Sequence, residues 1–338
     1  MKKLTCVILT VLMALSLLAG CGAAEEAPGK APAAVESAND AETTFDIAII
    51  QQLDHASLDE IRLAITAQLQ ARAGEDVKVN IQEYNGQNDA SVLTQIGTQV
   101  VADEPDMIIP IATLAAQYAV TAAEGTDIPI VYAAVSDPAG AGLTDIPTVT
   151  GVSDALNTPF ILDMMLAAQP DVKTVGLLYS NSEINSEAPI AEAKAYLDAK
   201  GIAYVEKTGN TANEIIAAAS DLVGRVEAVF TPTDNAVMAT EAAVAEILNA
   251  AGIPHYTGAD SFVAYGAFTT CGVNYTELGT KTADIAFDIL MGGEIGEFVV
   301  MDGGIITVNT ETAEMLNIDY SVFKEMANTL ISVTTSAE

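Results

Sequence analysis

The feature that most constrains the fold is an alternation of short apolar runs with helical patterns, which occurs twice along the chain. The first series extends from Phe45 to Ala133 and the second from Val175 to Thr257. Strands that alternate with helices at this spacing predict parallel sheets with helices on both faces. The sequence therefore predicts an α/β protein built from two Rossmann-like lobes.

The predicted elements repeat in the same order. In the first series the predicted strands are 45–50, 77–84, 106–111 and 128–133. The predicted helices are one that ends at Arg72 and two that span 90–102 and 114–124. In the second series the predicted strands are 175–179, 203–207, 228–231 and 254–257. The predicted helices are one that ends at Lys200 and two that span 212–223 and 236–251. Beyond them, a helix 277–291, strand-like segments 298–301 and 304–308 and a last helix near Tyr320 are expected. The long segment after the second series predicts that the chain passes between the lobes more than once, at crossings near Val152, Gly272 and Met301.

The amino terminus has the pattern of a processing signal. Lys2 and Lys3 precede an apolar run, 7–18, that is short for a membrane span. The run ends in Leu18-Ala19-Gly20-Cys21, which resembles a bacterial lipobox. We expect a signal peptide over 1–20, lipid on Cys21 and a disordered tether over 21–44, which has almost no large apolar residues. An ordinary secretory signal with a chance cysteine is the alternative.

Charge and cysteine content limit the partners. The net charge of −33 would repel nucleic acid and anionic lipid headgroups. Of the three cysteines, Cys6 lies in the signal and Cys21 would carry lipid, so no disulfide is expected within the mature chain. Cys271 has no basic neighbour in sequence and is interpreted as buried packing.

Ligands of open α/β sheets bind beyond the carboxyl ends of the strands, so the equivalent loops of both series should face one cleft. In the first series these loops are 51–57, 84–89, 112–113 and 134–138. In the second series they are 180–185, 208–211, 232–235 and 258–261.

Catalytic chemistry has little support in this sequence. Only His55 and His255 offer imidazoles, and there is no dinucleotide fingerprint, phosphate-binding loop, nucleophile elbow or paired metal-ligand spacing. His255 is interpreted as structural, whereas His55 lies in a cleft loop and either contacts a ligand or makes a bond at a helix start. We expect no enzymatic activity, no cofactor and no metal.

The polarity of the loops indicates the class of ligand. No Lys or Arg falls in a cleft loop, which disfavours a strongly anionic ligand. Hydroxyls at helix starts can hold a single carboxylate. Acidic side chains without a basic partner suit an ammonium group, and the loops contain Asp54, Asp137, Glu183, Asp234 and Asp260. A zwitterion such as an amino acid is therefore expected; helix capping is the alternative for these residues, and a sugar ranks second.

The candidate ligand-binding residues come from both series. They are Gln51, Gln52, His55, Tyr84, Thr113, Ala134, Ser136, Asp137, Asn181, Glu183, Asn185, Thr233, Asp234, Asn235 and Asp260.

Several motifs resemble the substrate-binding lipoproteins of ABC transporters, in the group that includes tryptophan-binding receptors. The resemblance spans nearly all of 45–328. It rests on 50–55 with 58–59, 105–106, 111–113 with 115–117, 134–138 with 140–143, 151–154, 176–179 with 181–183 and 185–186, and 232–235. Two departures, Gln52 in place of an aromatic residue and Ala56 in place of proline, leave open whether the ligand is aromatic.

The resemblance implies a periplasmic-binding-protein fold of type I, with three crossings between the lobes and the ligand clamped in between. The expected lobes are 45–152 with about 273–300, and 153–272 with about 301–334. The implied partners are a small-molecule ligand, an ABC permease with its ATPase and, through Cys21, the extracytoplasmic face of the cell membrane. A lipoprotein that senses a ligand for a membrane signalling protein, and a receptor for a sugar or nucleoside, are the alternatives.

Overall fold

In the computed structural model, residues 43–75 and 77–336 are described, and they form two β-sheets flanked by helices. The predicted signal peptide, Cys21 and nearly all of the predicted tether lie outside the described residues. Among the described residues, no helix has both the length and the apolar character needed to cross a membrane.

The strands and helices alternate along most of the chain. The strands are β1 (Thr43–Gln51), β2 (Val77–Asn85), β3 (Met107–Ile111), β4 (Ile130–Ala133), β5 (Val149–Ser153), β6 (Thr174–Tyr179), β7 (Ala203–Thr208), β8 (Ala228–Thr231), β9 (His255–Thr257), β10 (Thr269–Gly272), β11 (Val299–Val300), β12 (Ile305–Asn309) and β13 (Thr329–Val333). The α-helices are α1 (Ala56–Ala73), α2 (Ala90–Ala102), α3 (Thr113–Ala122), α4 (Thr158–Ala168), α5 (Glu187–Lys200), α6 (Ala212–Leu222), α7 (Asn235–Met238), α8 (Glu241–Ala250), α9 (Asp260–Ala264), α10 (Tyr275–Leu290), α11 (Thr310–Leu316) and α12 (Phe323–Met326). A single 3₁₀ turn, Ile184–Ser186, precedes α5.

The two sheets hold different parts of the chain. The first has the strand order β11-β5-β4-β3-β1-β2 and the second has the order β13-β12-β10-β9-β8-β6-β7. All strand pairs are parallel except β10 with β12, which is antiparallel. The sequence predicts parallel sheets, and this pair is the exception. The reason is topological: β10 leaves the second sheet towards the first lobe, and β12 returns from it alongside.

The chain passes between the sheets three times. The crossings lie between β5 and α4, between β10 and α10, and between β11 and β12. Helix α10 belongs with the first sheet, because it packs along α1 and also contacts β4 and β5. Two α/β lobes with three crossings confirm the fold class expected from the sequence.

The buried strands and amphipathic helices explain why each lobe is stable. Every residue of β3 is buried, as a central strand covered by helices on both faces requires. Helix α1 turns Ile61, Ile65 and Leu69 inward, and none of the three is accessible to solvent. Gly279 of α10 lies against the backbone of Ile61, so these two helices pack at close range.

The structure divides one predicted helix and adds a strand that was not predicted. The predicted helix 236–251 is interrupted at Ala239 and Thr240, between α7 and α8. The Thr240 hydroxyl donates to the carbonyl of Val237 at 2.9 Å, a local bond that competes with helix continuation. The helix predicted near Tyr320 corresponds to α12, which begins at Phe323. Strand β13 follows that helix and was not predicted, because its residues are only partly buried and show no apolar alternation.

Candidate functional site

Loops at the carboxyl ends of the strands meet between the lobes. They enclose a cavity of about 20 Å³, which is lined from both lobes. Eight of the residues predicted from the sequence line it: His55, Thr113, Ala134, Ser136, Asn185, Thr233, Asp234 and Asn235. Six of the eight predicted loops contribute lining residues, so the rule that places ligands at strand ends locates this cavity.

The backbone is strained where two strands of the first lobe reach the cavity. Ala112, after β3, has φ of 74° and Ala134, after β4, has φ of 54°. Positive φ is uncommon for residues other than glycine and costs on the order of 1–3 kcal/mol. Both residues line the cavity. Backbone strain of this kind clusters at functional sites, which supports a functional reading of these loops.

Side-chain contacts join the lobes across the cleft. Gln52 Nε2 donates to Glu183 Oε1 at 2.8 Å. The Ser136 and Thr233 hydroxyl oxygens lie 3.0 Å apart, and His55 Nε2 lies 3.1 Å from Asn235 Oδ1. The lobes are therefore closed on each other. Since the cavity has room for about one water molecule, a larger ligand can enter only when the lobes separate.

Asp154 is a buried carboxyl group of the cleft. It follows β5 at the first crossing, is only 6% exposed and lines the cavity. Its Oδ1 accepts from the Ser136 hydroxyl at 2.9 Å, and the Tyr275 hydroxyl lies 3.4 Å from its Oδ2. No ion pair among the described residues includes Asp154. Burial raises the pKa of this carboxyl, because the charged form loses its hydration.

Asp234, in contrast, already has its hydrogen bonds. It caps α7 by accepting from the backbone N–H of Val237 at 2.9 Å. Its other oxygen accepts from the backbone N–H of Ser180 and the hydroxyl of Ser186, both at 2.7 Å. These contacts satisfy the carboxylate without a ligand, so the capping alternative describes Asp234 better than an ammonium site does.

Glu183 lies at the centre of a buried network. It accepts from Gln52 of the first lobe and, at 2.8 Å, from Asn235 Nδ2 of its own lobe. Burial, followed by the nearby Asp234 carboxylate, raises its pKa. Glu183 holds the lobes together but is not among the residues that line the cavity.

His55 presents an unused polar atom. Burial lowers its pKa, which favours the neutral imidazole, although a hydrogen bond with Asn235 opposes the shift. Its Nδ1 and the hydroxyl of Ser57 are buried without a hydrogen-bond partner in the described part of the chain, and both residues line the cavity. Buried polar atoms are costly to leave unpaired, so both are candidates for contact with a ligand.

Five predicted site residues lie away from the cavity. Three of them make local hydrogen bonds: Gln51 donates to the carbonyl of Leu53, Asp137 accepts from Gly140 N–H, and Asn181 donates to the Thr208 hydroxyl. Two line other cavities: Tyr84 lines one, and Asp260 lines another together with Glu60. Burial, together with Glu60, raises the pKa of Asp260 to about 6. The structure therefore does not bring these residues together in the cleft.

Sequence reasoning missed several lining residues. The polar ones are Ser57, Asp154, Ser261 and Tyr275, and the apolar ones include Leu58, Met238 and Phe262. Asp154 was missed because β5, whose sequence contains Thr150, Gly151 and Ser153 and is only partly apolar, was not among the predicted strands. The apolar residues have no signal that separates them from ordinary core residues.

A second cavity, of about 350 Å³, lies where the crossings converge. Residues of all three crossings line it, including Asn157, Val273 and Gly303. It shares Asp154 and Tyr275 with the cleft cavity. Among the described residues, no cluster of three or more His, Cys, Asp or Glu side chains could hold a metal ion.

Comparison with solved structures agrees with the closed arrangement. A structure of an ABC domain from Streptococcus pneumoniae in complex with L-Trp is 29% identical, with a TM-score of 0.80 over 86% of this chain and all of that one. The ligand-free, open structure of a substrate-binding protein with adhesive properties from Clostridium difficile is 31% identical, over 86% of this chain and all of that one, with a TM-score of 0.64. The arrangement of the lobes in this chain is thus more similar to that of the L-Trp complex than to that of the ligand-free, open structure.

Sequence comparison covers almost the whole chain. A tyrosine-binding protein from Clostridioides difficile is 30% identical over 326 residues, which are 94% of this chain and 92% of that protein. The model of a family described as ABC transporter substrate binding protein matches residues 46–327. Its members bind substrates for transporters and are not enzymes. The chain therefore belongs to the family of ABC transporter substrate-binding proteins.

Proposed function

We propose that this protein captures an amino acid in the cleft between its lobes and delivers it to an importer. The observation that carries the proposal is Asp154, a buried carboxylate that lines the cleft and has no cationic partner among the described residues. A buried charge is costly unless it is paired. The ammonium group of an amino acid would supply that partner.

The other end of a zwitterion has suitable partners in the same cavity. Thr113 begins the ten-residue helix α3, and the hydroxyls of Ser136 and Thr233 meet across the cleft. Helix starts and hydroxyls hold a single carboxylate without needing an arginine. Of the described residues that line the cavity, none is Lys or Arg, which disfavours phosphate and dicarboxylate ligands.

An aromatic side chain would have apolar surroundings. Phe262, Met238 and Leu58 line the cleft cavity. Phe160 and Met326 line the second cavity, which lies next to it where the crossings converge. The relatives named for tyrosine binding and for an L-Trp complex support an aromatic amino acid. We propose L-tyrosine or L-tryptophan as the first ligands to test.

The lobes and crossings support binding by hinge closure. We propose that the lobes are 45–152 with about 273–300 and 153–272 with about 301–334, and that the three crossings between them bend to open and close the cleft. Hinge closure around a ligand is a common switching motion in proteins with two lobes. Closure buries the ligand and presents both lobe tips to an ABC permease with its ATPase.

A thermal-shift screen tests the ligand class. The protein comprising residues 43–338 is heated with each of the common amino acids, simple sugars and nucleosides. A ligand at 100 times its dissociation constant stabilises the folded state by about 2.7 kcal/mol, which raises the melting temperature by several degrees. We expect this rise with L-tyrosine or L-tryptophan. A rise with sugars or nucleosides alone would contradict the amino-acid proposal.

We further propose that Cys21 carries a lipid that holds the protein at the extracytoplasmic face of the cell membrane. Small residues before this cysteine, and an apolar run too short to span a membrane, support the proposal. Replacing Cys21 with Ala should move the protein from the membrane fraction to the soluble fraction in a fractionation experiment. A Cys21→Ala protein that stays in the membrane fraction would refute lipid anchoring, and Cys271→Ala serves as the control.

A further inference from the structure

A continuous chain of hydrogen bonds leads from Gln52 through Glu183 and Asn235 to His55. Gln52 Nε2 donates to Glu183 Oε1 at 2.8 Å, and Asn235 Nδ2 donates to Glu183 Oε2 at 2.8 Å. Asn235 Oδ1 then lies 3.1 Å from His55 Nε2. The chain crosses the cleft twice, because Gln52 and His55 belong to the first lobe and the other two residues to the second.

The orientation of the Gln52 amide is fixed at the start of this chain. Its Oε1 accepts from the backbone N–H of Leu114 at 3.0 Å. Its Nε2 uses both hydrogens, one towards Asn88 Oδ1 and one towards Glu183, each at 2.8 Å. A flip of this amide would place a nitrogen against the Leu114 N–H. Glu183 Oε1 therefore always faces a donor.

The proton on His55 follows from this arrangement. When Glu183 is ionised it accepts from Asn235 Nδ2, so Asn235 Oδ1 faces His55 and can only accept. His55 Nε2 must then carry the hydrogen. Since the imidazole is neutral, Nδ1 is left as an acceptor, and this is the buried atom without a partner among the described residues.

We propose that Glu183 is a positioning residue, which sets through the Asn235 amide which ring nitrogen of His55 carries the proton. If Glu183 takes up a proton, its Oε2 becomes a donor to Asn235, because Oε1 still accepts from Gln52. The Asn235 amide then turns over and its Nδ2 donates to His55 Nε2. The imidazole hydrogen moves to Nδ1, which becomes a donor towards the cavity.

The kind of ligand group that His55 can bind depends on whether Glu183 is ionised or protonated. With Glu183 ionised, Nδ1 accepts from an N–H or O–H of the ligand, such as an ammonium or hydroxyl group. With Glu183 protonated, Nδ1–H suits an acceptor such as a carboxylate oxygen. The identity of the ligand group rests on the proposed function, whereas the position of the imidazole hydrogen does not.

The surrounding charges favour such a switch. Asp234 lies beside Glu183, and burial together with this carboxylate raises the pKa of Glu183. Asp54 and Asp59 face His55, but burial outweighs them and lowers its pKa. The pKa of Glu183, raised to about 8, lies above that of His55, which is lowered from 6.5, so Glu183 takes up its proton first as the pH falls. This reverses the usual order, in which a carboxylate titrates below an imidazole.

Nitrogen NMR of the histidine rings tests the proposal on the full chain without a ligand. The protein contains two histidines, so ¹⁵N labelling of their rings gives two sets of signals. His255, buried between Glu241 and Thr231, serves as an internal reference. Protonated and unprotonated ring nitrogens have well separated shifts. We expect the Nε2–H form of His55 above the pKa of Glu183, and conversion to the Nδ1–H form as that group is protonated.

The Glu183→Gln variant should fix the second arrangement at every pH. The introduced amide would accept from Gln52 through its oxygen and donate to Asn235 through its nitrogen, so His55 should change fully to Nδ1–H while His255 is unchanged. In an Asn235→Ala background the same substitution should not alter His55. If Glu183→Gln leaves His55 in the Nε2–H form, or if Asn235→Ala does not block the change, the relay is overturned. If Glu183→Gln does not fold, the pH titration of the unaltered chain decides.

The ligand readout separates this proposal from the proposed function. Calorimetric titration with L-tyrosine is run on the unaltered chain and on Glu183→Gln. If the unaltered chain does not bind L-tyrosine, the tyrosine assignment fails while the NMR result still decides the relay. If L-tyrosine binds and the NMR shows no exchange of tautomers, the relay fails while the receptor stands.

Discussion

Replacing Asp154 with Asn is expected to weaken amino-acid binding on the order of 100-fold. Asparagine keeps the size of the side chain and its bond with the Ser136 hydroxyl, but removes the charge. Losing one partner of a buried, hydrogen-bonded charge pair costs about 2–5 kcal/mol. Because each 1.4 kcal/mol is about a tenfold change in affinity, the expected loss lies within reach of calorimetry.

Asp260→Asn is the matched control for this substitution. Asp260 is also a carboxylate in one of the predicted cleft loops, but it is half-buried and lies in a separate cavity beside Glu60. Its replacement should change the affinity for L-tyrosine less than about threefold, which corresponds to under ~1 kcal/mol. Equal losses for both variants would show that general acidity, rather than the Asp154 site, attracts the ligand.

The largest expected effect on stability comes from Gly279→Val. A Cβ atom at this position would lie 2.6 Å from the carbonyl oxygen of Ile61 and 2.7 Å from Ala64 Cβ. The first of these is a backbone atom of α1, so relief requires the two helices to move apart. Overpacking typically costs about 1–3 kcal/mol, and we expect the upper end of that range.

Urea unfolding of Gly279→Val and of a control, Gly296→Val, measures this cost. Among the described residues, none places an atom within 4 Å of the Cβ position of Gly296, so a side chain there meets open space. We expect a lower midpoint for Gly279→Val and a change below ~0.5 kcal/mol for Gly296→Val. A Gly279→Val protein as stable as the unaltered chain would mean that α1 and α10 do not pack this closely.

Most of the architecture could be predicted from the sequence, because in most elements the periodicity of the apolar residues agrees with their burial in the structure. Strand β3 is an apolar run that is buried on both faces, and helix α2 has the bounds that its pattern predicts, with Asp89 as its cap. The prediction failed where the local signal was weak. Strand β13 is only partly buried, and the antiparallel pairing of β12 depends on the crossings rather than on any local pattern.

The candidate site could be predicted only by loop, not by residue. The rule of strand ends selects loops that contain both Asp234 and Asp260, but composition does not show that Asp234 caps a helix or that Asp260 faces another cavity. Those facts depend on side-chain direction and on partners distant in sequence. The partners of Asp154, Ser136 and Tyr275, are 18 and 121 residues away.

The central claim is that the cleft holds an amino acid by pairing its ammonium group with Asp154. Calorimetric titration with L-tyrosine and with its analogue that lacks only the amino group tests this most directly. We expect L-tyrosine to bind and the analogue to bind on the order of 100-fold more weakly, as loss of the buried pair requires. Binding of both compounds with equal affinity would contradict the ammonium site.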